Sequence, residues 1–223
     1  MTLESSSAED VLIWASEKYK DDLCLTSSFQ TQSVPLLYLV SKIIPETPIL
    51  FLDTGFHFSE TLAFRDQLID QFGLNVINIE TGMGHDHFKF KYGNLYEVDP
   101  DLCCHINKTE PLQKELEKYK AWIAGVRGDQ TENRSNLEVV NELENGIVKI
   151  CPIINWTSKE LWTFHNQNNL PSHPLFSKGY MSVGCAPCTR PMASEGNERS
   201  GRWTNNCKTE CGIHTGIGKK QQS

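Results

Sequence analysis

The sequence predicts an α/β fold: a mainly parallel sheet with helices on both faces, followed by a flexible carboxyl-terminal tail. Two observations lead there. Short apolar runs that read as buried strands alternate with longer segments of helical periodicity, the signature of strand–helix–strand units. Regular patterning then thins after Pro171, and the segment from about residue 192 to 223 is polar and interrupted by Gly212, Gly216 and Gly218. No internal repeat, low-complexity block or linker divides the chain, so residues 1–223 read as one domain with a mobile tail.

The elements follow in order. Val11, Leu12 and Ala15 give 8–20 helical spacing behind a capping serine run. Leu23 to Thr26 is a short buried strand, 27–33 a polar loop, and Val34 to Ile44 an apolar helix stopped by Pro45. Ile49 to Leu52 is a second strand ending at Asp53-Thr54-Gly55. Ser59 is expected to cap a helix that runs to Phe72 and stops at Gly73, before a third strand over Leu74 to Ile79. Short helical turns are expected over Gly82 to Tyr96, and Thr109 and Pro111 open a helix through Tyr119. Ala121 to Ala124 and Ile147 to Cys151 are the fourth and fifth strands. Thr157 and Glu160 form a capping box for a helix reaching about Asn168.

Composition narrows the function classes. The start of the chain is polar and acidic, and no apolar run approaches the roughly 20 residues of a membrane span. Eight cysteines without a secretory signal read as ligands, nucleophiles or small core residues in a reducing cytoplasm, not as a disulfide framework. A net charge of −7 argues against nucleic-acid binding. From Arg190 onward six Lys and Arg face three Glu. That locally basic tail could meet an anionic substrate, or simply be solvated.

Four stretches carry candidate chemistry. In open α/β sheets, ligands bind beyond the carboxyl ends of strands. Ser27 and Ser28 lie there after the first strand, where helix N–H groups and hydroxyls suit an anion, although an ordinary strand–helix turn has the same look and no Walker loop is present. Leu52 and Asp53 end the second strand; the carboxylate suits a ribose or base, or merely shapes the turn. Gly125 to Arg134 follows the fourth strand and offers Arg127 and Arg134 for phosphate or sulfate oxygens, or for solvent. Finally, Cys185 and Cys188 form a Cys-x-x-Cys on a turn set by Gly184 and Pro187, with a second pair at Cys103 and Cys104. Four thiols suit zinc or an iron–sulfur cluster, and spacing alone leaves the two open. Cys24 and Cys151 sit in apolar strands as core residues, and the histidines other than His214 read as structural or surface groups.

The order of Ser27-Ser28-Phe29, Leu52-Asp53-Thr54-Gly55-Phe56, Cys103-Cys104, Gly125 to Arg134, the Cys-x-x-Cys and Glu210-Cys211-Gly212-Ile213-His214 resembles the sulfonucleotide reductases, in particular their cluster-bearing, adenylyl-sulfate-reducing branch. The resemblance spans nearly the whole chain. It implies an adenine nucleotide α-hydrolase-like fold, a [4Fe-4S] cluster, adenylyl sulfate as substrate, and thioredoxin or glutaredoxin as reductant. Position by position, it makes Cys103, Cys104, Cys185 and Cys188 the cluster ligands and sets Lys108 between cluster and substrate. It gives Arg199 and Arg202 the sulfate–phosphate end, and Gly125 and Arg134 nucleotide contacts. Cys211 becomes the nucleophile and His214 its partner. One departure stands out: where many cluster-bearing members continue Ser-Phe-Gly-Ala-Glu-Asp, this chain has Ser28-Phe29-Gln30-Thr31-Gln32. Cys207 is an extra thiol with no counterpart in that pattern.

The residues suit this chemistry. A thiol of pKa about 8.5 is only partly ionised near neutrality, and cationic neighbours such as Arg199, Arg202, Lys108 or His214 would favour the thiolate of Cys211. The expected activity is reduction of adenylyl sulfate to sulfite and AMP through a cysteine S-sulfonate. The 3′-phosphorylated nucleotide is the alternative substrate, and Gln30 and Gln32 could tolerate its extra phosphate. An RNA-thiolating enzyme of similar fold would need a Gly-rich pyrophosphate loop that is missing here. A cluster-based redox sensor would not need Glu210-Cys211-Gly212 on a mobile tail. Expected partners are the nucleotide and the protein reductant, with no nucleic acid and no membrane; a homo-oligomer is compatible.

Overall fold

A computed structural model of the chain describes residues 3–192, 198–204, 208, 210, 212–214 and 217. Helix α1 (Ala8–Tyr19) is capped by the Ser7 hydroxyl, which accepts from Asp10 N–H, and buries Val11, Leu12 and Ala15. Strand β1 (Leu23–Thr26) follows, then α2 (Val34–Ile43), β2 (Ile49–Asp53), α3 (Ser59–Phe72) and β3 (Val76–Glu80). The N-cap of α3 is Phe58, not Ser59; the Ser59 hydroxyl bonds the neighbouring Glu60 carboxylate instead.

Between β3 and the next strand the chain is helical almost throughout: α4 (His85–Tyr92), α5 (Leu95–Val98), α6 (Pro100–Cys104), a π turn over His105–Thr109 and α7 (Glu110–Leu116). Sequence reading places short helical turns only as far as Tyr96 and opens the next helix at Thr109 and Pro111. Pro100 is instead the first residue of α6, where its missing N–H costs nothing, and the Asp99 carboxylate caps Leu102 N–H at 2.9 Å. Pro111 cannot donate to the carbonyl four residues back, and the wider π turn lies just before it. The result is one continuous helical run carrying Cys103, Cys104 and Lys108.

Strand β4 (Ala121–Ala124), short helix α8 (Glu132–Ser135), strands β5 (Val140–Glu142) and β6 (Val148–Ile150) and helix α9 (Ser158–Gln167) complete the body. The expected capping box of α9 is present: Thr157 N–H donates to the Glu160 carboxylate at 2.7 Å, and Glu160 N–H to the Thr157 hydroxyl at 3.2 Å. The six strands run in the order β3-β2-β1-β4-β6-β5, all pairs parallel except β5–β6. Strand β5 carries only Val140-Asn141-Glu142 and no apolar run, so the sequence gives no sign of it.

The central strands β1 and β4 are apolar and buried along nearly their whole length, with Trp122 wholly inside and donating to the Thr26 hydroxyl at 2.8 Å. Cys24 and Cys151 are core residues, and burial pushes both thiols up, Cys151 to about 11. No helix among the described residues is long and apolar enough to cross a membrane.

After α9 the chain is tied down by His173, buried beneath α3. Its backbone N–H donates to the Thr31 hydroxyl at 3.0 Å, Nδ1 accepts from Leu175 N–H at 3.1 Å, and Nε2 therefore carries the proton toward the Thr61 hydroxyl at 3.0 Å. Burial depresses the ring pKa to about 4, below its ordinary 6.5. The folded state then binds fewer protons than the unfolded chain. The ring's contribution is complete above pH 6.5 and is lost as pH falls from there toward 4, by about 2 kcal/mol at pH 5. Urea unfolding of wild type and His173→Asn at pH 7.5 and pH 5 checks this: the variant is less stable at pH 7.5 and loses clearly less on acidification.

Candidate active site

The chain leaves β1 toward β2 on one side and later returns to β4 on the other, so the carboxyl ends of β1 and β4 form a topological switch point. A cavity of about 150 Å³ opens there, walled by Ser27 and Ser28 after β1, Leu50 to Leu52 of β2, and Gly125, Arg127, Gln130 and Arg134 after β4. The wall also includes His57, Lys108 from the π turn, Val183 and Gly184, and the tail residues Arg199, Arg202, Trp203, Ile213 and His214.

The β1 loop is held tightly. Phe29 N–H donates to the Ser27 hydroxyl at 3.1 Å, and Phe29 itself, at φ 53°, is driven into the core. Gln30 accepts from Val183 N–H at 2.9 Å, tying the loop to the segment before the Cys-x-x-Cys. Gln32 accepts from Arg127 and Gln130 and donates to Glu198 at 2.8 Å. Gln30 and Gln32 are thus cross-braces of the pocket wall.

Two of the pocket arginines have all three guanidinium nitrogens bonded within the protein. Arg127, 1% exposed, donates from Nε to Asp129 at 2.9 Å, from Nη1 to Gln32 at 3.3 Å and from Nη2 to Glu198 at 3.1 Å. Arg134 grips Glu210 with two bonds, Nε to Oε1 at 2.8 Å and Nη2 to Oε2 at 3.0 Å, and gives its third nitrogen to Gln130. Arg199 adds a further bond to Glu210 at 3.2 Å. Burial opposes ionisation of Glu198 and Glu210, but their arginine and hydroxyl partners outweigh it and hold both carboxyls below the ordinary range.

A second, smaller cavity adjoins the first. It is lined by all four sulfur candidates, Cys103, Cys104, Cys185 and Cys188, with Thr54, Asn107 and Pro187, and it shares Lys108 and Trp203 with the larger pocket. The thiols are not closed around a single ion: among the described residues no group of three or more His, Cys, Asp or Glu is placed to hold one. Donors point at the sulfurs. The Thr54 hydroxyl lies 3.4 Å from Cys185 Sγ, Asn107 Nδ2 lies 3.7 Å from Cys103 Sγ, and Lys108 also bonds Cys185. Burial opposes ionisation of Cys185, yet Lys108, Thr54 and Arg202 outweigh it and lower its pKa. Burial and the neighbouring thiols push Cys103 up to about 12 and Cys188 to about 11. Hydrogen-bonded thiols of this kind are suited to a multinuclear thiolate centre. The Cys-x-x-Cys turn is fixed from outside by Ala186 N–H donating to Phe56 O at 2.7 Å.

The described tail residues pack over both cavities. Arg190 N–H donates to Gly201 O and Trp203 N–H to Cys188 O, pinning the arginine-bearing turn to the Cys-x-x-Cys. Gly184 lets the Arg202 guanidinium lie directly on the backbone, in space that a Cβ would fill, and Arg202 stacks 4.4 Å from the Trp203 ring centroid. Arg202 Nε is buried with no hydrogen-bond partner among the described residues. His214 stacks parallel on Trp122, with centroids 6.0 Å apart. Burial, with Arg134, Lys149 and Arg199 nearby, lowers its pKa far below the ordinary value. It is therefore a neutral ring in this arrangement, not one of the cations expected beside the nucleophile.

Of the residues singled out by sequence, the large pocket gathers Ser27, Ser28, Leu52, Lys108, Gly125, Arg127, Arg134, Arg199, Arg202 and His214. Asp53 is not on its wall; the carboxylate accepts from Gly55 N–H at 3.0 Å and shapes the turn. Cys211 and Cys207 lie outside the described residues. Sequence reading missed His57, Gln130 and Trp203 as wall residues, and Glu198 as a partner of Arg127. Gln130 lies within the Gly125 to Arg134 stretch, and Glu198 and Trp203 adjoin Arg199 and Arg202.

Comparison with known proteins fits this geometry. Residues 22–191 match the family described as phosphoadenosine phosphosulfate reductase domain. The adenosine 5′-phosphosulfate reductase of Halalkalibacterium halodurans is 41% identical over 215 residues, 95% of this chain and 93% of that protein. The enzyme of the same name from Streptomyces coelicolor is 40% identical over 95% of this chain and 90% of its own length. Among solved structures, the phosphoadenylyl-sulfate reductase of Candida auris in its phosphate complex superposes with a TM-score of 0.74 at 26% identity, covering 83% of this chain and 91% of that one. The FMN adenylyltransferase of Candida glabrata, 14% identical, shares the fold with a TM-score of 0.61 over 96% of this chain and 73% of its own.

A side chain at Gly184 would displace the Arg202 guanidinium, the movable end of a long side chain, so the fold should tolerate it while the pocket loses a cation. Gly184→Ala is expected to change unfolding free energy by less than about 1 kcal/mol and to weaken inorganic sulfate binding by about tenfold, the loss of one charge-assisted hydrogen bond. Thermal unfolding and sulfate titration check the two halves separately.

Proposed function

This chain belongs to the phosphoadenosine phosphosulfate reductase family, and from that premise we propose that it reduces adenylyl sulfate to sulfite and AMP in assimilatory sulfate reduction. It is an oxidoreductase acting on a sulfur group. The observation that carries the reading is Lys108, which lines both the pocket at the strand ends and the four-thiol cavity beside it. A nucleotide in the first cavity would have its anionic end next to Lys108, Arg199 and Arg202, at the boundary with the second.

In this reading the Cys211 thiolate attacks the sulfur of adenylyl sulfate. The bond from sulfur to the bridging phosphate oxygen breaks, AMP departs with its electron pair, and an S-sulfonate remains on Cys211. Cationic groups stabilise the charge that develops on the leaving phosphate. A thiolate of thioredoxin or glutaredoxin then attacks Cys211 Sγ, releasing sulfite with the bonding pair and leaving a mixed disulfide. The reductant's second thiol resolves it. The dithiol is oxidised by two electrons and the substrate sulfur is reduced by two. His214, held neutral by burial and stacked on Trp122, serves as an uncharged ring beside the pocket.

Cys103, Cys104, Cys185 and Cys188 would hold a [4Fe-4S] cluster, a fit supported by their common cavity and the donors from Thr54, Asn107 and Lys108. When bound, the cluster supplies a polarisable charged centre next to Lys108 that shapes the field at the sulfate. Zinc is less well supported, because the thiols are not gathered around one ion. The bracing of Gln32, whose amide nitrogen donates to Glu198 and to Met181 O, favours the simpler nucleotide, as does the lack of any Lys or Arg in the β1 loop.

Three measurements test this. Wild type incubated with adenylyl sulfate and no reductant should gain one sulfite mass on the peptide containing Cys211, and Cys211→Ser should lose sulfite formation while keeping its visible absorbance; an adduct on Cys207 would identify a different nucleophile. Protein purified without oxygen should contain iron and acid-labile sulfide, both lost in Cys185→Ser; stoichiometric zinc without sulfide would refute the cluster. The ratio of kcat/KM for adenylyl sulfate to that for its 3′-phosphorylated form should exceed about tenfold, a preference a tolerant pocket would not give.

A further inference from the structure

Residues on both sides of Cys211 are anchored, and the strongest anchor is Glu210. Its side chain is 5% exposed and receives four bonds: two from Arg134 at 2.8 and 3.0 Å, one from Arg199 at 3.2 Å and one from the Thr131 hydroxyl at 3.1 Å. On the other side Gly212, at φ +83°, runs against Thr109, where a Cβ would meet Oγ1 at 3.2 Å. Ile213 then packs on the core, and His214 stacks on Trp122. Arg134 has no guanidinium nitrogen left over, because Gln130 takes the third. Glu210 thus occupies the face of Arg134 through which an oxyanion would make a paired contact. Lys108, Arg199 and Arg202 also line the pocket, with Arg199 sharing the Glu210 carboxylate with Arg134.

We propose that Glu210 is a positioning residue: its carboxylate, clamped by Arg134, Arg199 and Thr131, anchors the chain immediately before the nucleophile, and the paired face of Arg134 serves the tail and not the nucleotide. The proposal rests on the reading of Cys211 as nucleophile. It is opposed to a simple competitor role, in which Glu210 occupies a phosphate site and binding substrate expels the tail. The two differ in sign. A positioning carboxylate lowers the rate of thiol attack when removed and leaves nucleotide affinity alone. A competing carboxylate, when removed, tightens nucleotide binding.

The test uses the full chain and two readouts, the dissociation constant for AMP and the single-turnover rate of S-sulfonate formation from adenylyl sulfate without reductant. Glu210→Gln is expected to keep AMP affinity within about twofold while slowing S-sulfonation by about 10- to 100-fold, the scale on which misplacement of a reacting group acts. Glu210→Asp, which keeps the charge, is expected to be faster than Glu210→Gln. Thr131→Val removes one of the four bonds without a change of charge, so it carries the same test if Glu210→Gln does not fold; a slowing of about threefold or more at unchanged AMP affinity is expected. AMP affinity raised more than about threefold in Glu210→Gln, S-sulfonation at the wild-type rate, or Glu210→Asp no faster than Glu210→Gln would each overturn the proposal. Cys211→Ser run alongside separates the two levels: activity surviving in that variant sinks the nucleophile itself, whereas a dead Cys211→Ser beside a normal Glu210→Gln sinks only the positioning role.

Discussion

Two buried arginines organise this molecule. Arg127 and Arg134 are 1% and 6% exposed at the mouth of the strand-end pocket. A guanidinium cannot shed its charge, so burial of this degree demands anionic or strong acceptor partners. The body supplies amides and Asp129, but the balancing carboxylates Glu198 and Glu210 come from the tail. Breaking one partner of such a pair costs about 3–5 kcal/mol because the other charge is left buried. The described tail residues therefore lie over the pocket for an electrostatic reason, and they bring Arg199, Arg202, Trp203 and His214 with them.

The second constraint is mechanical. The helical run from Pro100 to Leu116 widens into a π turn over His105–Thr109, which buries Lys108 and places Cys103 and Cys104 one turn behind it. On the facing side, Ala186 N–H to Phe56 O and Gln30 to Val183 N–H lock the Cys-x-x-Cys to the ends of β2 and β1. Lys108 consequently lines both the thiol cavity and the pocket and bonds Cys185. This arrangement lowers the Cys185 pKa against the effect of its burial.

Much of the fold was legible in the sequence because it is encoded locally. Apolar runs gave β1, β2 and β4, the Thr157–Glu160 capping box gave α9, and the alternation gave the parallel sheet. The edge strand β5 escaped because Val140-Asn141-Glu142 has no apolar run and exists as a strand only through its pairing with β6. The helix at Pro100 escaped because proline marks both breaks and starts, and the Asp99 cap decides which. His57 reads as a structural or surface group; its ring bonds Leu52 O at 2.8 Å and also lines the pocket, a contact with no linear signature.

The sequence by itself determined the parts: four thiols in two pairs, the terminal Glu-Cys-Gly-Ile-His, the arginines after β4 and in the tail, and a sheet whose strand ends would receive a ligand. Only the tertiary structure decided how those parts are spent. It assigned Arg127 and Arg134 to the tail's carboxylates, turned Gln30 and Gln32 into braces, withdrew Asp53 into a turn and made His214 neutral. The physical reason is the same in each case. A charge or hydrogen-bonding group acquires its role from partners up to 166 residues away and from its removal from water, and neither is written in the residues beside it.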